Sequence, residues 1–154
     1  MKQDRFLMVI LVLIGLLVVA ALGLFFLRQD NQSYTSEATP SGVARNFVVA
    51  LQEGDTRRAY TYLAEYRDKP DYDAFRQALL IRQIELNSTA VQLGSETQTG
   101  DEAVVKLHLV RSGGGPFGEV YRQPETALLE RDATGNWKIT RFPYPFWDYG
   151  WEKD

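Results

Sequence analysis

Twenty-two consecutive residues, Phe6 to Leu27, carry neither a charge nor a hydrogen-bonding side chain, and only Gly15 and Gly23 interrupt their strongly apolar character. At 1.5 Å per residue, a helix of this length covers roughly 33 Å, against a bilayer hydrocarbon core of about 30 Å. A helix satisfies its own backbone groups, so it can cross lipid without an unpaired donor. Burying the run in a soluble core would require surrounding it on every side. The 127 residues that follow it, 48 of them apolar, cannot do that. A cleaved signal peptide would stop after about 7–15 apolar residues at a small-x-small site. Here Ala20-Ala21 is followed by Leu22, Gly23, Leu24, Phe25, Phe26 and Leu27. The expectation is an uncleaved transmembrane helix over 6–27, with the lipid bilayer as its partner.

Lys2 and Arg5 precede the run and only Arg28 closely follows it. The positive-inside rule then assigns residues 1–5 to the cytoplasm and the rest to the other side of an inner or plasma membrane. The sequons Asn31-Gln32-Ser33 and Asn87-Ser88-Thr89 are compatible with an extracytoplasmic location. Residues 28–41 read RQDNQSYTSEATPS, a polar flexible linker without apolar periodicity. Residues 42–154 are then one domain of ordinary size.

The 154-residue chain contains no cysteine and one histidine. That excludes a disulfide framework, a thiolate metal site and a cysteine nucleophile, and disfavours a histidine-based triad or metal centre. A formal charge of −3 gives no electrostatic reason to bind nucleic acid.

Within the domain, Ser41 can cap a helix that Gly54 ends, with Ala44, Phe47, Val48 and Leu51 on one stripe. Asp55 caps a second helix carrying Ala59, Tyr62, Leu63 and Tyr66. A third starts at Asp71 and presents Tyr72, Phe75, Ala78 and Leu79. After Asn87 the apolar period becomes two. Val91 and Leu93 alternate with polar residues, Thr99-Gly100-Asp101 turns the chain, and Val105, Leu107 and Leu109 oppose Lys106 and His108. Pro124 marks a strand that lies at an edge, is bulged, or is broken in two. Thr134-Gly135-Asn136 leads into a last strand with Trp137 and Ile139 on one face. The fold class is α+β: three helices on one face of a curved antiparallel sheet of about four strands.

The stretch Ala44–Leu63, containing FVVALQEGDTRRAYTYL, together with the third helix and the closing Gly135–Ile139 (GNWKI), resembles the nuclear transport factor 2-like superfamily of cystatin-like α+β cones. The resemblance covers roughly 42–142 and includes membrane-anchored members of unknown function. It implies the fold and little of the activity, because this scaffold hosts isomerases, dehydratases, transporters and secretion scaffolds. The tethered arrangement is similar to bitopic scaffold subunits of secretion machines, although this chain is shorter and carries none of their motifs. Enzymes of the superfamily often pair an Asp or His with a Tyr inside the cone.

Each candidate site has a structural alternative. Alternation places His108 on the face away from the core. Asp68, Asp71 and Asp73 lack the glycine and terminal glutamate of a calcium loop and are explained by a helix dipole. Gly113-Gly114-Gly115 lacks the Gly-Lys-Ser/Thr of a phosphate cradle. The C-terminus is the least ordinary feature: Trp137, Phe142, Tyr144, Phe146, Trp147, Tyr149 and Trp151 crowd fifteen residues. Either the tail folds back to close the core, or Tyr144, Phe146, Trp147, Tyr149 and Trp151 form an exposed patch for a protein partner, for self-association or for the lipid interface, the last disfavoured because Glu152 and Asp154 would repel anionic headgroups.

No metal-binding or cofactor-binding pattern is visible and no catalytic constellation stands out. The expected function is a single-pass, extracytoplasmic binding or scaffold module without catalytic activity. The alternative is a small-molecule pocket protein, or an isomerase or hydrolase, which would set His108, Glu85 or Glu130 beside a Tyr in the cone.

Overall fold

A computed structural model describes residues 2–28, 33–67, 69–112 and 119–147; within the first helix, side chains are described for 7–23. The chain divides into two compact units, Met1–Ser33 and Tyr34–Asp154.

The first unit is built on α1, Lys2–Arg28, a 27-residue helix. Its described side chains number 17, against the ~20 that a span needs. Among the described residues no helix is long and apolar enough to cross a membrane, so the expected span rests on the sequence.

The second unit carries α2 (Pro40–Gln52), α3 (Thr56–Thr61), α4 (Tyr72–Ile81) and α5 (Gln83–Ser88). They are followed by β1 (Thr89–Thr99), β2 (Glu102–Ser112), β3 (Val120–Arg131) and β4 (Trp137–Arg141). The four strands form one antiparallel meander in the order β1-β2-β3-β4. The α+β class and the four-stranded curved sheet are as expected. Among the described residues the domain has four helices rather than three, because Gln83–Ser88 forms an additional turn-and-a-half before the sheet.

Local chemistry explains the boundaries. Thr39, not Ser41, caps α2: its hydroxyl accepts from Gly42 N–H, with Pro40 in the first turn, where a missing N–H costs nothing. Ser41 is turned to another task, donating its backbone N–H and hydroxyl to Glu96 of β1. Asp55 caps α3 and Asp71 caps α4, each accepting the N–H three residues on. α3 ends at Thr61, so Tyr62, Leu63 and Tyr66 lie beyond it. Ile139 N–H donates to Tyr62 O and Ala64 N–H to Ile139 O, which lays this segment parallel to β4.

β3 is continuous through Pro124. Over 120–127 it pairs with β2 alone, because β4 reaches only Leu128–Arg131. A residue without an N–H is tolerated where one flank of the strand is open. The irregularity lies at Leu128/Leu129 instead.

The alternation of β2 buries Ala103, Val105, Leu107 and Leu109 against the helices, where they meet Phe47, Leu51, Phe75 and Leu79. Trp137 and Ile139 of β4 join the same core, as do Phe142, Phe146 and Trp147 from the chain beyond it. Phe142 sits 5.2 Å from Phe47 and 5.7 Å from Phe146, centroid to centroid, in tilted and edge-on geometry.

The domain also begins earlier than Gly42. Tyr34 O–H donates to Glu53 at 2.9 Å, and the Arg58 guanidinium lies 3.4 Å above the Tyr34 ring. Thr35 exchanges two hydrogen bonds with the buried Asn46. The last eight residues of the expected linker, 34–41, are therefore held against α2 and α3 or belong to α2 itself.

Candidate functional site

The helix-facing side of a cone-shaped sheet is where a ligand cavity would open. Here Phe47, Phe75, Leu107, Ile139, Phe142 and Phe146 are fully buried in that volume. The aromatic C-terminus supplies two of them. Phe146 and Trp147 are core residues, and a partner could reach neither on the folded domain. That corrects their placement in a binding patch. β4 ends at Arg141, so Phe142 reaches the core beside Phe47, and Phe146 follows it there against Phe142. Tyr149 and Trp151 lie outside the described residues.

Tyr144 is half-buried beside this plug. Its hydroxyl donates to Glu85 of α5, and the Arg82 guanidinium lies 5.3 Å from its ring centroid. Arg82 also donates to Trp147 O at 3.0 Å, tying the tail to the α4–α5 junction. The hydrogen bond to Glu85 pushes the Tyr144 phenol above its ordinary range, with desolvation adding to it. Sequence reasoning names Glu85 as an acid that would need a tyrosine beside it. The structure brings that pair together, but at the surface, with the interior behind it filled.

A second carboxylate–phenol arrangement lies in a cleft of about 320 Å³, lined by Tyr66, Glu102, Val104, Leu128, Glu130 and Arg141 among others. Glu102 and Glu130 are direct cross-strand partners on β2 and β3. Burial is the largest reason that the Tyr66 phenol is held well above the usual tyrosine range, followed by Glu130 and then Glu102. Such a phenol stays protonated at neutral pH; it can donate a hydrogen bond and cannot act as a base. The cleft opens toward the outer sheet face, where Val104, Leu128 and Glu130 alternate with the buried Ala103 and Leu129. Sequence periodicity could not find it, because Tyr66 reaches it from irregular chain beyond α3.

His108 is exposed on that outer face, opposite Gln92 and Pro124, as the alternation requires. Asp71 is spent on the α4 cap and Asp73 lies in the first turn, while Asp68 is outside the described residues. No group of three or more metal-ligating side chains occurs among the described residues. The loop holding Gly113, Gly114 and Gly115 is outside them too.

Among the described residues, four helices packed on one face of a four-stranded antiparallel meander, with the core closed by Phe142, Phe146 and Trp147, make an α+β fold that solved structures share. A candidate ketosteroid isomerase from Shewanella frigidimarina superposes with a TM-score of 0.51 at 24% identity, over 70% of this chain and 94% of that one. A SEC-C motif-containing protein from Rhodopseudomonas palustris gives 0.50 at 16% identity, over 70% and 79%. At these identities the likeness concerns the fold alone, and the fold hosts enzymes and non-enzymes alike. No family model matches the chain and no curated protein is significantly similar to it.

Proposed function

We propose that the protein is a single-pass, membrane-anchored binding or scaffold module whose cone domain stands outside the cytoplasm and performs no catalysis. The observation that carries the non-catalytic reading is the plug: Phe142, Phe146 and Trp147 occupy the interior in which a cone enzyme would hold its substrate.

The anchor is supported by α1. Thirteen large apolar side chains between Leu7 and Leu22 are exposed on this helix, on every side of it. At ~1.5 kcal/mol for each such side chain left in water, the sum is about 20 kcal/mol. That exceeds the ~5–15 kcal/mol by which a domain is usually stable, so this surface must find an apolar medium. A helix apolar all round belongs in a large core or in lipid. The second reading, a small-molecule site, is favoured by the cleft at Tyr66, which has volume and two carboxylates, rather than by the cone interior.

Because the chain has no cysteine, a single Thr97→Cys variant on the exposed part of β1 gives an unambiguous topology probe. The expected result is labelling by an impermeant maleimide on intact cells and retention of the protein in carbonate-washed membranes. Labelling only after permeabilisation overturns the orientation, and release by carbonate overturns the anchor. For catalysis, the triple variant Glu85→Gln, Glu130→Gln, His108→Ala should restore a null strain fully. A folded triple variant that fails to do so makes the non-catalytic reading untenable.

A further inference from the structure

Glu102 and Glu130 face each other directly across β2 and β3, and the next pair on the same face of the sheet is Val104 and Leu128. Like charges in direct cross-strand register repel, so such a pair is destabilising until a cation settles between them. The β4 residue opposite Glu130 is Lys138, the natural neutralising partner, but its ammonium donates to Thr61 O at 2.8 Å instead. Among the described residues the ion pairs are Arg58–Glu37 and Lys69–Glu65, and neither Glu102 nor Glu130 takes part in one. Both carboxylates line the cleft of about 320 Å³ together with the Tyr66 phenol, and that volume falls at the lower end of the range for small-molecule pockets.

We propose, resting on the small-molecule reading of this cleft, that it binds a primary alkylammonium ion, with the nitrogen held by Glu102, Glu130 and the Tyr66 oxygen and the alkyl stem lying over Val104 and Leu128. An ammonium carries three donors and no acceptor. Two carboxylates in direct register, with Cβ atoms ~5 Å apart, and one phenol oxygen offer it three acceptors. The Tyr66 phenol, held protonated by its surroundings, adds no third negative charge. Along the strands the rows Glu102–Glu130 and Val104–Leu128 lie ~7 Å apart, about the reach of a butyl chain.

The charged side chains lining the cleft are these two glutamates and Arg141, a net charge of −1 that one ammonium neutralises. A calcium ion suits the cleft less well. It takes about 6–8 oxygen ligands, and the apolar row of Val104 and Leu128 supplies no side-chain oxygen.

The full-length chain in phosphatidylcholine nanodiscs, labelled with 13C at tyrosine, tests this by NMR. Tyr66→Phe assigns the Tyr66 signal, and empty discs correct for partitioning of the probe. The probes are butylammonium, butyrate and calcium ions. The expected result is a saturable shift of Tyr66 with butylammonium, while Tyr144 beside Glu85 stays in place. Both glutamates are solvent-accessible, so Glu130→Gln alone should weaken binding about threefold, and Glu102→Gln with Glu130→Gln about tenfold. Each variant loses a like-charge contact and should melt no lower than the parent without ligand, which separates lost binding from lost folding. An undiminished butylammonium response in the double variant overturns the proposal. A tighter response to butyrate or calcium than to butylammonium overturns the ammonium and leaves the cleft a small-molecule site. No saturable shift with any of the three probes overturns that reading and the proposal with it.

Discussion

Asn46 of α2 and Thr35 exchange two hydrogen bonds: Thr35 N–H donates to Asn46 Oδ1 at 2.8 Å, and Asn46 Nδ2 donates to Thr35 O at 2.9 Å. The amide of a fully buried side chain thus takes the place of a strand partner for a segment that has none. Around it, Arg58 Nε donates to Tyr62 Oη, and Tyr62 O–H donates to Glu37 at 2.7 Å. A polar sequence with no apolar period becomes ordered because one buried amide and a Tyr–Arg–Glu cluster supply what the segment lacks.

Replacing Asn46 by alanine removes both bonds and leaves a buried hole. Net hydrogen-bond values, with water reaching part of the Thr35 backbone, set the expected loss at about 1–3 kcal/mol. Urea unfolding measures it, and limited proteolysis should show new cleavage between Tyr34 and Ala38. An unchanged midpoint would remove Asn46 from this role.

Gly42→Ala sets two effects against each other. Alanine in a helix is favoured over glycine by ~1 kcal/mol. A Cβ at Gly42, however, would lie 1.9 Å from the backbone oxygen of Ser36, which no side-chain rotation relieves. The clash wins: the variant should be destabilised, with the 34–39 segment displaced. Thermal melting together with loss of the Tyr34 contact by NMR would check it, and a stabilised variant would contradict it.

Phe146→Ala should cost ~3–5 kcal/mol, as for other buried aromatics, because Phe146 is 0% exposed and packs edge-on against Phe142. Ile84→Ala, at an exposed position, should stay within about 0.5 kcal/mol. Denaturant midpoints of the two variants distinguish a plug from a loose tail.

Glu96 has its carboxyl held below the usual glutamate range, chiefly by the Ser41 hydroxyl and also by the Ser41 N–H and Gln98. A lowered folded pKa contributes stability above the unfolded value of ~4.3, and that contribution disappears as pH falls through the folded value. Ser41→Ala should therefore be less stable than the parent at pH 7. The gap should close in acid below the ordinary glutamate range. Urea titrations at pH 7 and in acid, with the Glu96 carboxyl followed by NMR, measure both. A gap that is independent of pH would show that Ser41 acts by packing alone.

Much of the cone is legible in the sequence because its signals are local. The caps at Asp55 and Asp71, the turns at Gly100 and Gly135, and the alternation of Val105, Leu107 and Leu109 each depend on a few neighbours along the chain. The cap of α2 is not legible in the same way. Thr39 and Ser41 can both cap, and only Glu96, 55 positions away, claims Ser41. The cleft at Tyr66 is hidden for a similar reason: its residues come from irregular chain and from three strands.

The sequence alone determined the apolar run that dominates the first 28 residues, the α+β order and the two-residue period of the sheet. These are properties of side-chain pattern and length, and they need no partner. Tertiary structure decided which way the aromatic tail faces, where the domain begins and which acids meet a phenol. Each of those depends on a contact between residues far apart in the chain. An aromatic such as Phe146 satisfies the same local chemistry whether it plugs a core or greets a partner; the space left open beside Phe47 and Phe142 made the choice.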